Sequence, residues 1–462
     1  MDYSAANSGL WKFVIELGMI AAAIMAAHYF YRKVRLIRKT MLPVAVLAGF
    51  MLLAAKYMGL PLDEELLEML VFHGIGLGFI AMSLRVPPKE SGGRSLTGFK
   101  SGAVIVSTYL IQGTVGLLVS LCLSYTVMPG LFKASGMLLP MGYGQGPGQA
   151  NNVGSTYEAL GFAGGRSFGM AIAAAGYLAA CTVGVVILNV LRRRGKLCLP
   201  KQFSRAQSAQ DYFDSDGSAA LSSSLDVLSL QAALVLVVYL ATYLTTWGLT
   251  SLVAAAVPDA AQTISPLLWG FNFIIGSALA IALRALLEKR KEEAKRVLRY
   301  QNNYLLNRIS GFFFDIMIVA GIASISLEDI RGLWLPFLLM TVLGAAVTWL
   351  HLRAVCKKVY EGYYYQGLIS MFGMLTGTIS SGVLLLRETD PELSTTAANN
   401  LITGSSFGIV LGAPILALVS LAAKSGLLCW VSLGIAAVYY GFLCFLIFRF
   451  QGSKKPETQI KK

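Results

Sequence analysis

Apolar runs of roughly 20 residues, the length a helix needs to cross the hydrocarbon of a bilayer, recur along the whole chain between short charged or Pro/Gly-rich interruptions. The pattern predicts eleven spans, beginning near Trp11, Met41, Leu66, Ser101, Arg166, Val227, Ser265, Ile309, Gly332, Thr396 and Leu427. The first, from Trp11 to Tyr31, is longer than the apolar region of a signal peptide. It ends in a basic cluster and lacks a small-residue cleavage site, so it reads as a retained span.

Two stretches break the pattern. Residues 138–158 read LLPMGYGQGPGQANNVGSTYE and residues 372–388 read FGMLTGTISSGVLLLRE. Either is a poor continuous helix, because an interior Gly costs about 1 kcal/mol and an interior Pro about 3. Each stands between the fourth and fifth spans of successive five-span sets. If either crossed fully, every later loop would change sides, so both are expected to be re-entrant, entering and leaving on one face.

Since five is odd, the second set starts on the opposite side of the membrane from the first. The expected fold class is therefore an all-α integral membrane protein of two inverted five-helix repeats, 1–193 and 227–423, each with a broken segment. A Ser/Asp-rich cytoplasmic linker occupies 194–226, and an extra C-terminal span with a cytoplasmic tail occupies 424–462. Weak sequence echoes accompany the repeat: RSFG at 166–169 and SSFG at 405–408 open the following spans, while Glu158 and Glu388 close the broken segments. Inverted halves with discontinuous segments in matching places are the pattern of secondary transporters.

Composition agrees with the membrane reading: 56% hydrophobic and 13% charged residues, with a mean hydropathy of +0.64, exclude an ordinary soluble domain. The net charge of +14 would suggest nucleic acid in a soluble chain. Here the positive residues are instead segregated by side. Of 38 Lys and Arg, 31 fall in the loops after the odd-numbered spans or in the tail. Lys12, Lys56, Lys133, Arg166, Arg331 and Lys424 take the other side, and Arg387 lies in the second broken segment. The positive-inside rule then puts the N-terminus outside and the C-terminus in the cytoplasm, in the cell inner (plasma) membrane. The basic stretch from Arg284 to Arg308 reads as a solvated helix extension near anionic lipid.

Six cysteines and three histidines are scattered without metal-ligand or disulfide spacing. No GxxxxGK[ST], HExxH or nucleophile elbow occurs, so neither ATP drive by this chain nor hydrolysis is expected, and the chain does not read as an enzyme.

The candidate chemistry lies in the broken segments. Gly142, Gly144, Gly146 and Gly148 alternate with Tyr143, Gln145, Pro147 and Gln149, followed by Asn151, Asn152, Ser155 and Thr156. Extended backbone of this kind is tolerated at membrane depth only inside protein or along a wet cavity, where its N–H groups can hold a carboxylate and its carbonyls a cation. A glycine hinge or packing surface is the alternative. In the second segment Thr376, Gly377, Thr378, Ser380, Ser381 and Gly382 offer hydroxyls, which suit sodium, unless they bond back to their own helix or pack between spans. Asp315 stands alone in the apolar run GFFFDIMIVAG, where insertion costs at least ~2.5–3.5 kcal/mol. It is a candidate to bind a cation or accept a proton, or else to pair with Arg308 near the interface. Arg387, with its bidentate guanidinium, is the candidate for a substrate carboxylate, and Arg166 is its counterpart in the first repeat. Sodium candidates are Thr376, Thr378, Ser380, Asp315 and Asn151.

Three regions carry a resemblance to a known family. LVFHGIGLGFIAMSLR at 70–85, SGFFFDIMIVAGIASISLEDIRGLWLPFLL at 310–339 and YYYQGLISMFGMLTGTISSGVLLLRE at 363–388 resemble the bacterial sodium/glutamate symporters, which have two re-entrant loops. The chain looks like a divergent member, since GYGQGPGQANN and TGTISSGV depart from the family's usual loop wording. The resemblance implies a homodimer that takes up glutamate or a related small carboxylate with sodium, by an elevator-type alternating-access motion. No cofactor beyond the coupling ion is implied. A cation-independent organic-anion exchanger or channel using the same segments is the other reading.

Overall fold

A computed structural model describes residues 4, 7–34, 37, 42–86, 94–194, 221–256, 265, 268–270, 272–293, 302–390 and 395–449. Every regular element among them is helical. In chain order these are α1 (Ser8–Lys33), α2 (Val44–Tyr57), α3 (Glu64–Ser83), α4 (Arg94–Tyr125), α5 (Pro147–Ala159), α6 (Gly165–Arg193), α7 (Leu221–Ala256) and α8 (Asn272–Glu293). There follow α9 (Asn303–Ala323), α10 (Trp334–Val359), α11 (Tyr364–Thr376), α12 (Ile379–Arg387), α13 (Ala397–Lys424) and α14 (Gly426–Arg449). A 3-10 turn at Lys133–Met137 and a π turn at Pro140–Gln145 lie between α4 and α5.

Among the described residues nine helices are long and apolar enough to cross a bilayer, which makes the chain an all-α, multi-pass membrane protein in character. Two more, Val44–Tyr57 and Asn272–Leu287, are apolar but shorter. The outward faces agree: Met25, Leu427 and Val438 are each about three-quarters exposed, as side chains facing lipid would be.

Local sequence explains where helices start. Asp63 accepts a hydrogen bond from the Leu66 amide at 3.1 Å and is followed by Glu64 and Glu65, a capped and acidic first turn that suits the positive N-terminal end of α3. Asn302 caps α9 in the same way through the Leu305 amide, at 3.2 Å. The second span starts at Val44 because Pro43 stands at its N-cap. The seventh, expected from Ser265, is described as continuous helix only from Asn272. The second broken segment also extends further back than 372, since YYQGLISMF is uninterrupted helix and only Gly377 and Thr378 break it. The linker expectation at 194–226 and the tail lie largely outside the described residues, as does the middle of the basic stretch.

The helices pack in two groups. In one, α3 and α9 form a central pair; α2 packs on α9, α8 on α3, α1 on α2 and α7 on α8. Val46, Val71, Ile75, Val319 and Ile322 fill one core there, and Ile80, Val235, Ala280 and Leu306 a second. In the other group α4 is the spine, flanked by α10, α13 and α14, with both broken segments beside it and α6 packed on those segments and on α10. Its cores centre on Leu117, Leu139, Tyr143 and Phe168, and on Ile105, Leu352, Phe372 and Leu375.

Side-chain contacts tie the helix ends into two levels. At one level Lys12 pairs with Asp63, Lys56 with Glu64 and Arg166 with Glu68, while Lys56 also reaches the Ile325 carbonyl. At the other, Arg284 donates to the Ser83 and Arg85 carbonyls and Arg85 to the Asn307 side chain. The start of α3 and the end of α9 thus meet at the first level, and the end of α3 and the start of α9 at the second, so the central pair is antiparallel.

Candidate functional site

The first broken segment is not an extended loop. Its π turn runs to Gln145, the chain turns at Gly146 with φ +92°, and α5 begins at Pro147. Pro at the first helical position has no N–H to leave unsatisfied, and Gly alone adopts this backbone conformation without strain. The second segment breaks similarly: α11 ends at Thr376 and α12 begins after Thr378, with Gly377 between them. Neither α5 nor α12 has a side chain capping its first amides.

The two breaks meet. A Cβ placed on Gly146 would lie 3.7 Å from Thr378 Cγ2 and 3.8 Å from the Gly377 carbonyl oxygen. Surrounding residues hold this meeting point in place. Gln112 of α4 donates to the Leu375 carbonyl at 2.9 Å, serving one of the orphan carbonyls at the end of α11, and to Thr348 at 2.8 Å. Tyr143 donates to the Thr341 carbonyl at 2.8 Å. The α6 helix passes so close that a Cβ on Gly176 would collide with the Thr376 carbonyl.

Beside the breaks, between the two helix groups, lies a cavity of about 250 Å³. From the first group, α3 contributes Ile75, Phe79 and Met82, α8 contributes Phe273, and α9 contributes Gly311, Phe314, Asp315 and Ile318. Those four positions of α9 follow the i, i+3, i+4, i+7 spacing of a single helix face. The second group contributes Tyr109, the first break at Gly144, Gln145, Gly148 and Gln149, the second at Gly377 and Thr378, and a stripe on α13 that includes Ser405, Gly408 and Gly412. The volume is below the roughly 300–1,000 Å³ typical of sites for drug-sized ligands, so a small solute is the natural occupant.

The sequence candidates separate accordingly. Gly144, Gln145, Gly148, Gln149, Thr378 and Asp315 line the cavity, and Gly146 is the turn at its edge. Asn151 and Asn152 are buried on α5 away from that lining; Asn152 donates to the Gly270 carbonyl at 2.7 Å, and the Asn151 carbonyl oxygen has no partner. Thr156 bonds back to the Asn152 carbonyl and Thr376 to the Phe372 carbonyl, each at 2.8 Å, which is the bonding expected of a hydroxyl in a helix. Ser155 is half-buried on α5 outside the lining, and Ser381 is buried with its Oγ unpartnered. The side chains of Ser380 and Arg387 lie outside what is described. Arg166 pairs with Glu68 outside the cavity lining, and its amide donates to Glu158 at 3.0 Å.

Asp315 is not paired with Arg308, whose guanidinium lies over the Tyr304 ring, 5.2 Å from its centroid. Its side chain is open to the cavity. Tyr177 of α6 is fully buried, and its hydroxyl has no hydrogen-bond partner among the described residues. Sequence reasoning does not single out the aromatic wall of Phe79, Phe273 and Phe314, because a cavity-facing Phe in an apolar span looks the same as a lipid-facing one. Sequence reasoning also passed over the α13 stripe, although Gly404, Gly408 and Gly412 recur every fourth residue, a close-packing signature that could have marked it. The first two sit hard against Ser101 and Ile105 of α4.

No family model matches this chain, and comparison with curated proteins finds no relative.

Proposed function

We propose that the chain is a secondary transporter that moves a small carboxylate-bearing solute together with sodium. The observation that carries this reading is the meeting of two broken helices beside a small cavity between two helix groups. Each helix N-terminus there presents unsatisfied N–H groups and about half a positive charge, the requirement for holding a carboxylate at membrane depth. The Thr378 hydroxyl, the buried Ser381 Oγ and backbone carbonyls at the end of α11 are oxygen ligands of the kind a hard cation takes.

Helix pairing supports the inverted repeat. Exchanging α1–α3 with α7–α9 turns the α1·α2 contact into α7·α8 and the α2·α9 contact into α8·α3, and leaves the α3·α9 pair unchanged. With the positive-inside rule, that arrangement brings the first broken segment in from outside and the second from the cytoplasm. The groups meet partly through small side chains, Ala150, Ala171, Ala173 and Ala174, which join the core of the α2, α3 and α9 group. Alternating access by movement of one group against the other belongs to the same proposal, and it requires larger contacts, Met170 against Gly321 and Ile75 against Gly148, to part as the groups shift. The resemblance of 70–85, 310–339 and 363–388 to the sodium/glutamate symporters points the same way. A dimer belongs to the same proposal.

Proteoliposomes carrying the purified chain test it. Uptake of radiolabelled small carboxylates, glutamate among them, should be saturable and should rise with an inward sodium gradient. Flux that does not saturate and is indifferent to the gradient would establish the exchanger or channel reading instead.

A further inference from the structure

The cavity's charge inventory narrows the substrate, granting that the cavity is a transport site. Among the described residues that line it, Asp315 is the one acidic group, and there is no Lys, Arg or His. Apart from the coupling ion, positive potential among the described lining residues comes from the amide ends of α5 and α12, about half a charge each, which balances a single carboxylate. A second, independent feature lies at the α5 end. Gln149 is 3% exposed, lines the cavity, and its side-chain carbonyl oxygen has no hydrogen-bond partner. A buried acceptor without a donor costs about 1–3 kcal/mol, so a donor on the occupant is favoured there. Asp315 faces the same space with no ion-pair or hydrogen-bond partner among the described residues.

Much of the remaining wall is apolar, with Phe79, Phe273, Phe314, Met317 and Met374 together, and the polar groups that interrupt it, Tyr109, Gln145, Thr378 and Ser405, are all neutral. No cationic side chain among the described lining residues would compensate the second carboxylate of a dicarboxylate, which would share the space with Asp315, and an unpaired buried charge is among the costliest arrangements in a protein.

We infer that the occupant is an apolar α-amino acid of valine-to-methionine size, with its carboxylate at the two helix N-termini, its ammonium on Asp315 and the Gln149 carbonyl, and its side chain among the phenyl rings. The inference rests on the transporter reading, and the experiment separates the two.

Full-length protein in proteoliposomes is given radiolabelled L-leucine with and without an inward sodium gradient. Competition is measured with L-methionine, L-glutamate, 4-methylpentanoate, which lacks the ammonium, and 3-methylbutylamine, which lacks the carboxylate. The expected result is sodium-stimulated leucine uptake that methionine inhibits at least tenfold more effectively than the other three. Asp315→Asn should abolish the preference for leucine over 4-methylpentanoate. The analogue comparison on the unaltered protein stands whether or not that variant folds. Sodium-driven uptake of glutamate but not leucine would overturn this inference and leave the transporter intact. Equal inhibition by methionine and 4-methylpentanoate would remove the ammonium site. No sodium-driven flux of any of these carboxylates would overturn the transporter reading itself, and the inference with it.

Discussion

Gly146 has a φ of +92° and a ψ of −176°, in a region that residues with a Cβ essentially do not enter. The space beside it is not the obstacle, since the nearest atom to an added Cβ would be 3.7 Å away. Backbone conformation alone therefore sets the cost of Gly146→Ala, about 1–3 kcal/mol. The strain falls where α5 must start against the second break, so both the melting temperature in detergent and the sodium-driven flux should drop. A variant with wild-type values of both would show that the turn can relax without consequence. At this scale the sequence was partly readable. Alternating glycines marked the turn, and the lone Asp315 marked a polar face. For Asn152 and Thr156, sequence cannot tell a side chain that reaches a cavity from one that satisfies a nearby carbonyl, and both bond to carbonyls. The Gly270 carbonyl that takes the Asn152 hydrogen bond is brought close by the fold from 118 positions along the chain, whereas Thr156 bonds locally, four residues back in its own helix.

The elements that matter are half-helices, and their ends need partners. Gln112 serves the end of α11 from a neighbouring helix, with a buried amide that joins Leu375 to Thr348. Gln112→Leu keeps the volume but removes the donor, leaving the Leu375 carbonyl and the Thr348 hydroxyl short of a partner. The expected destabilisation is about 1–3 kcal/mol, read as an earlier thermal unfolding transition, with a weaker response to sodium because the second break loses its anchor. An unfolding midpoint matching the wild type would show that the α11 end is held by other contacts. The helix pattern itself was largely legible, because continuous apolar runs have few alternatives in lipid. Boundaries were less so. The second broken segment looked shorter than it is because its first half, α11, reads like any other apolar helix until Gly377. The aromatic wall was hidden for the same reason: apolarity gives depth in the membrane but not the side of the helix that faces protein.

Across the whole molecule, the account depends on two helix groups that move relative to each other around the cavity. Glu68 on α3 and Arg166 on α6 form an ion pair between those groups. Replacing both, Glu68→Cys with Arg166→Cys, in a background where the exposed Cys122 is Ser, should allow a bis-methanethiosulfonate reagent, long enough to span the gap the two side chains fill, to lock the groups together. Transport should fall to background after cross-linking and return with reductant. Full flux in the cross-linked protein would contradict relative motion at that contact.

The central claim is that the meeting of the two breaks serves carrier transport, and sodium dependence of saturable flux tests it most directly. Initial uptake of a radiolabelled carboxylate-bearing solute is measured in proteoliposomes over a range of concentrations, with the sodium gradient inward, absent and reversed. The account predicts uptake that saturates, is fastest with the inward gradient and drives accumulation above the external concentration. Uptake that stays linear in concentration and equal under all three gradients would contradict it.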